Sequence, residues 1–157
     1  MQKIYVFLLL LSTLTVVGAA SSPQATQVQD EQELRQIEAT IAKCEQQNDV
    51  PMMKLFNSDF VVSSIKMVMS KQQLEEAVRN NFVSHGNGPS PVTIEKKNMV
   101  VYLFGDTAVV TYIKEYRQTR DTTKFFDEDD TDVFKRGTKG WLLQFSKLSP
   151  VANTAAS

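Results

Sequence analysis

The chain has a single cysteine, Cys44, and a single histidine, His85. One thiol cannot close an internal disulfide, so the fold has to be held by its core. One imidazole excludes a zinc centre built on several histidines, and the six scattered glycines form no phosphate-cradling loop. Neither sign of charge dominates: 17 basic residues stand against 18 acidic ones. That balance leaves no electrostatic footprint for nucleic acid or an anionic membrane. Past residue 20 no apolar run approaches the roughly 20 residues that a membrane span requires.

What is present begins with residues 1–20, MQKIYVFLLLLSTLTVVGAA. Lys3, an almost unbroken apolar run to Val17, and the small residues Gly18, Ala19 and Ala20 follow one another in the order of a secretory signal peptide. The run is short for a membrane span, and no cysteine lies nearby to accept a lipid. This reading implies a secreted or periplasmic protein with no stable membrane span after cleavage. The remaining ~137 residues suffice for one domain with its own core. Residues 21–29 (SSPQATQVQ) are polar and aperiodic and read as a flexible leader, and residues 150–157 (PVANTAAS) as a disordered tail.

Between those segments the periodicity is first helical, then extended. Asp30 and Glu33 match a capping box, after which Leu34, Ile37, Ile41 and Cys44 recur at three- and four-residue steps. Cys44 completes that stripe, so it is expected to face the core as a small hydrophobe. Asn48-Asp49-Val50-Pro51 stops the helix and opens a short second one, with Pro51 in its first turn. Residues 59–64 (DFVVSS) read as a strand, and Ser70 with Gln73 forms a second capping box ahead of a third helix. A Gly/Pro-rich loop surrounds His85. Residues 92–104, 107–119, a stretch within 125–136, and 141–148 are rich in Val, Thr, Ile, Phe and Tyr, with tight-turn chemistry at Gly105-Asp106 and from Gly137 to Gly140. Three helices followed by such strands predict an α+β domain, an antiparallel meander with helices packed on one face.

Local words in that order carry a resemblance. They are Asn48-Asp49, LFNSDF (55–60), Ser70-Lys71, YLFGDTAVV (102–110), TDVFKR (131–136) and GWLL (140–143). Together they cover roughly residues 30–149 and resemble the nuclear transport factor 2-like superfamily, in its SnoaL-like or DUF4440-type members. The resemblance implies a cone: a curved antiparallel sheet wrapped around three N-terminal helices, with a pocket at the wide end. It implies no single function, since such domains serve as isomerases, dehydratases, cyclases and hydrolases, or only bind partners. Ketosteroid isomerase, a member, pairs an aspartate base with a tyrosine and a protonated aspartate. Carried onto this sequence, the base falls at Ser64, beside Ser63, and the tyrosine at Ile41. Only the third position, Asp132, retains its chemistry.

Five carboxylates fall within six positions from Asp127 to Asp132. Asp127, Glu128, Asp129 and Asp130 lack the glycine-permitted turn of a calcium loop and read as a charged strand end that discourages edge pairing. No metal site is expected there. Asp132 shares a strand face with Phe134 and Arg136. If that face is interior, Asp132 stands at the pocket mouth, able to donate or accept a proton; otherwise it pairs with Arg136 or Lys135. Tyr112 and Tyr116 share a face with Val110 and Lys114 and read either as core or as a pocket wall offering phenols to a ligand. Ser64 and Asp59 complete the candidate ligand-binding set, Asp59 alternatively pinning a strand start. The combined expectation is an exported, homodimeric domain that binds a small, mostly apolar molecule without a cofactor. The alternatives are an isomerase- or hydratase-like enzyme using Asp132 with a tyrosine, and a protein–protein interaction module.

Overall fold

The computed structural model describes residues 23–84, 91–119 and 125–151. The expected signal peptide, the His85 loop and the tail past Val151 lie outside them. Helix α1 (Pro23–Gln47) leads into a 3₁₀ helix (Val50–Leu55), strands β1 (Phe56–Ser64) and β2 (Val68–Ser70), and helix α2 (Lys71–Ser84). Four long strands follow: β3 (Val92–Phe104), β4 (Thr107–Gln118), β5 (Phe125–Gly137) and β6 (Gly140–Pro150). They form one six-stranded sheet in the order β2-β1-β6-β5-β4-β3. The fold class is the expected one, a curved, unclosed sheet with the helices in the N-terminal half of the chain.

The turns follow the sequence closely. Phe104 pairs with Thr107 and Gly137 with Gly140, so each hairpin closes in two residues. Gly105 has φ 65° and Gly140 φ 90°, values that glycine adopts at little cost. A Cβ at Gly140 would also meet Glu33 Oε1 at 3.0 Å. Ser70 and Gln73 cap α2 reciprocally, the Ser70 amide donating to Gln73 Oε1 at 2.9 Å and the Gln73 amide to Ser70 Oγ at 3.4 Å. Irregularities in register between Lys97 and Val100, where Asn98 has φ 53°, and between Val133 and Phe134 bend the sheet.

Four expectations are corrected. The first helix starts at Pro23, where a proline has no helical hydrogen bond to lose, so residues 23–29 are helical rather than a flexible leader. Asp30 is consequently not its cap; it is buried and paired with Arg136. β1 starts at Phe56, and it runs parallel to β6, so the sheet is not antiparallel throughout. A return through α2 and the meander brings the two strands alongside in the same direction. The acidic run, finally, does not lie on an edge: β5 is interior, between β4 and β6.

The core sits between the inner face of the sheet and α1 with the 3₁₀ helix. Leu34, Phe60, Val110, Phe134, Trp141 and Leu143 are its most buried large members. Cys44 packs half-buried against it as a free thiol. Phe56 and Phe60 touch, ring centroids 4.5 Å apart. Trp141 is buried beneath the Arg136 guanidinium, 4.5 Å from its ring.

Candidate functional site

Alternation decides which residues reach the interior. On β4, Ala108, Val110, Tyr112 and Lys114 point inward, and on β5 Asp130, Asp132 and Phe134 do the same. Asp132 stands opposite Val110 on one side and Ser146 on the other, with Tyr112 as its diagonal neighbour. It is 2% exposed. The Tyr112 hydroxyl donates to Asp132 Oδ2 at 2.6 Å, and the Ser146 hydroxyl donates to Oδ1. Burial, then the nearby Asp132 carboxyl, pushes the Tyr112 phenol well above its usual range, so it stays protonated and remains a donor.

This wall borders a partly enclosed cavity of about 80 Å³. Opposite it stand Phe56, Phe60 and Val62 from β1, Met69 from β2, Leu74 from α2 and Leu143 from β6. Ile41, Glu45 and Lys114 close the remaining side. The cavity is therefore amphipathic, apolar on the β1 side and hydrogen-bonding on the β4–β5 side.

Behind the wall lie charged groups that the helical stripe did not reveal. Glu38 is fully buried, facing Asp132, and its Oε2 accepts from Lys96 Nζ at 2.5 Å. Burial first, then the Asp132 charge, raises the Glu38 carboxyl to about 8 against the pull of Lys96. The Lys96 ammonium also sits 4.3 Å from the centre of the Tyr112 ring. Lys114, 4% exposed, is held by Glu45 Oε2 at 2.8 Å. Its own burial would lower its pKa, but Glu45, Tyr116 and Asp130 together carry it above the usual lysine value. Asp130 is fully buried and neither carboxyl oxygen has a hydrogen-bond partner. Burial raises it to about 7, opposed by Lys114 and reinforced by Glu128 and Asp132.

Of the five residues proposed from sequence, the structure brings two together, Asp132 and Tyr112. Tyr116 is on the same face but beyond the cavity wall; it donates to Glu128 Oε2 at 2.9 Å and stacks on Phe126. Ser64, at the end of β1, sits in the turn to β2, where its hydroxyl accepts from the Lys66 amide at 3.4 Å. Asp59 is exposed, because alternation on β1 turns Phe60 and Val62 inward instead. The phenol beside Asp132 comes from β4, whereas Ile41 on α1 is an apolar part of the wall. The acidic run divides as well: Asp129 is exposed, whereas Asp130 is turned into the protein.

Among the described residues, no group of three or more His, Cys, Asp or Glu side chains is arranged to hold a metal ion. No helix among them is long and apolar enough to cross a membrane. Neither a family model nor a curated protein matches the sequence. Solved structures do match. An NTF2-like protein with a cystatin-like fold from Novosphingobium aromaticivorans superposes with TM-score 0.69 at 14% identity, over 85% of this chain and 89% of that one. The fold is NTF2-like. A Pseudomonas putida NTF2-like protein of unknown function gives TM-score 0.68 at 16% identity, over 82% and 91% of the two chains. An NTF2-like superfamily protein from Salmonella enterica gives 0.64 at 14% identity, over 83% and 97%. At such identities the likeness establishes the NTF2-like architecture and leaves the SnoaL-like subtype an expectation.

Proposed function

We propose that this NTF2-like domain binds a small, mostly apolar molecule in the cavity beside Asp132. The ligand's apolar body packs on Phe56, Phe60, Val62 and Leu143, and its polar end meets the Asp132–Tyr112–Ser146 group. The observation that carries this reading is a partly enclosed hollow with one apolar wall and one hydrogen-bonding wall. Its volume, about 80 Å³, is well under the roughly 300–1,000 Å³ of drug-sized sites. The ligand is accordingly compact, smaller than a steroid. Binding is favoured over turnover because both Asp132 oxygens already accept hydrogen bonds, so neither can take a substrate proton without first losing a partner.

The compact alcohol 3,3-dimethylbutan-1-ol is a suitable probe. Titrated into protein labelled at the methionine methyls, it should shift the Met69 signal saturably, and Val62→Trp, which fills the hollow, should abolish the shift. An unmoved Met69 signal at high probe concentration would count against the pocket. The proposal includes export directed by residues 1–20 and a homodimer formed through the sheet. The dimer is supported by the exposed row Val100, Tyr102 and Phe104 on one face of β3. Sedimentation velocity on wild type and Tyr102→Lys tests it, a monomeric wild type being the adverse result.

A further inference from the structure

Between α1 and strands β3 to β5, acidic and basic groups are buried in unequal numbers. Lys96 is spent on Glu38, and Lys114 on Glu45. Asp132 accepts from the hydroxyls of Tyr112 and Ser146 and lies within hydrogen-bonding reach of the Glu38 carboxyl, all neutral donors when Glu38 carries its proton. Asp130 has no hydrogen-bond partner on either oxygen. Four carboxyl groups thus share two ammonium groups in a region where Glu38 and Asp130 have no exposed surface. An uncompensated carboxylate is costly in such surroundings. The surplus has to be met by protons or by a positive charge brought from outside.

The cavity is shaped to supply the second. It brings the Asp132 carboxyl together with the rings of Phe56, Phe60 and Tyr112, and aromatic faces attract cations. Lys114 also reaches this wall, but its ammonium is already neutralised by Glu45. We propose that the ligand of this cavity is a small organic cation, an alkylammonium ion whose charge sits against Asp132 and offsets the buried acidic surplus behind it. This inference rests on the small-molecule reading above and specifies the ligand's class.

A coupling to pH follows. In the empty protein, burial keeps protons on Glu38 up to about pH 8 and on Asp130 up to about 7. A cation entering beside them displaces protons, so its affinity rises as pH climbs through that window. The titratable groups of the lining are Glu45 from α1, Tyr112 and Lys114 from β4 and Asp132 from β5, and those packed around Glu38 and Asp130 behind it are Lys96 from β3, Tyr116 from β4 and Glu128 from β5. Ser146 is the β6 contribution to the hydrogen-bonded cluster.

Calorimetry on the full chain can decide with two probes of the same shape, choline and its neutral isostere 3,3-dimethylbutan-1-ol. Choline keeps its charge at every pH, so any pH dependence belongs to the protein. Choline should bind at least about tenfold more tightly than the alcohol at pH 8.5, with a smaller margin at pH 6. In buffers of different ionisation enthalpy, its binding at pH 7.5 should release protons. Asp130→Asn, outside the cavity wall, should remove the part of the pH dependence near pH 7 and leave the part near pH 8 that belongs to Glu38; if that variant fails to fold, the wild-type pH series decides alone. Equal binding of both probes, or a margin indifferent to pH, overturns the cation while leaving the pocket intact. Binding of neither overturns the pocket and the cation together.

Discussion

The two sides of the cavity are built from different chemistry. β1 and the start of β6 contribute Phe56, Phe60, Val62 and Leu143, all buried and apolar. β4 and β5 contribute Tyr112, Lys114 and Asp132, with Glu38 of α1 and Asp130 of β5 buried behind them. Apolar burial stabilises at every pH, whereas the charged side is stable only in particular protonation states. The first side therefore contributes stability that varies little with pH, and the second carries the pH response.

The largest expected effect tests the apolar side. Phe60→Ala should cost about 3–5 kcal/mol in urea unfolding, nearly the same at pH 6 and pH 9. A strongly pH-dependent loss would erase the distinction between the two sides. On the charged side, Lys96→Met should cost about 3 kcal/mol at pH 9, because it strands the Glu38 carboxylate. At pH 6, where Glu38 carries its proton, the loss should be smaller. The double variant Glu38→Leu with Lys96→Met should recover most of the stability, since a buried ion pair replaced by apolar groups is often neutral.

Wild-type stability should itself fall as pH rises. Glu38 is raised from 4.5 to about 8 and Asp130 from 3.8 to about 7. Between the unfolded and folded values the folded state holds protons that the unfolded chain has released. Stability is therefore greatest below about pH 4 for these groups and is lost as pH passes 7 and then 8. Melting at pH 5 and pH 8.5 checks the sign; a higher melting temperature at pH 8.5 would contradict it. Smallest is the cap of α2: Ser70→Ala should cost about 1 kcal/mol without altering ligand binding or pH response.

Much of this architecture was legible in the sequence because it is local. The tight turns at Gly105 and Gly140 and the Ser70–Gln73 capping box follow from spacing, and alternation groups Asp132 with Phe134 and Tyr112 with Val110, but it does not say which face is interior. What escaped was non-local or disguised. The parallel pairing of β1 with β6 joins segments some 80 residues apart, and periodicity does not name a partner strand. Glu38 is disguised by its charge, although positions 34, 38 and 41 lie on one helical face. Asp130 was hidden among solvated neighbours in the same run. Ser64 enters the candidate set through the resemblance and Asp59 through its place at a strand start, and neither route shows that Asp59 is exposed and Ser64 occupies a turn.

The most direct measurement is a carbon-13 titration of the carboxyl groups in protein labelled at Glu Cδ and Asp Cγ. The expected result is one glutamate signal titrating near pH 8, absent in Glu38→Gln, with an aspartate signal near pH 7 that disappears in Asp130→Asn. If every carboxyl titrated between about 3 and 5, as solvated groups do, the buried acidic surplus beside the cavity would not exist.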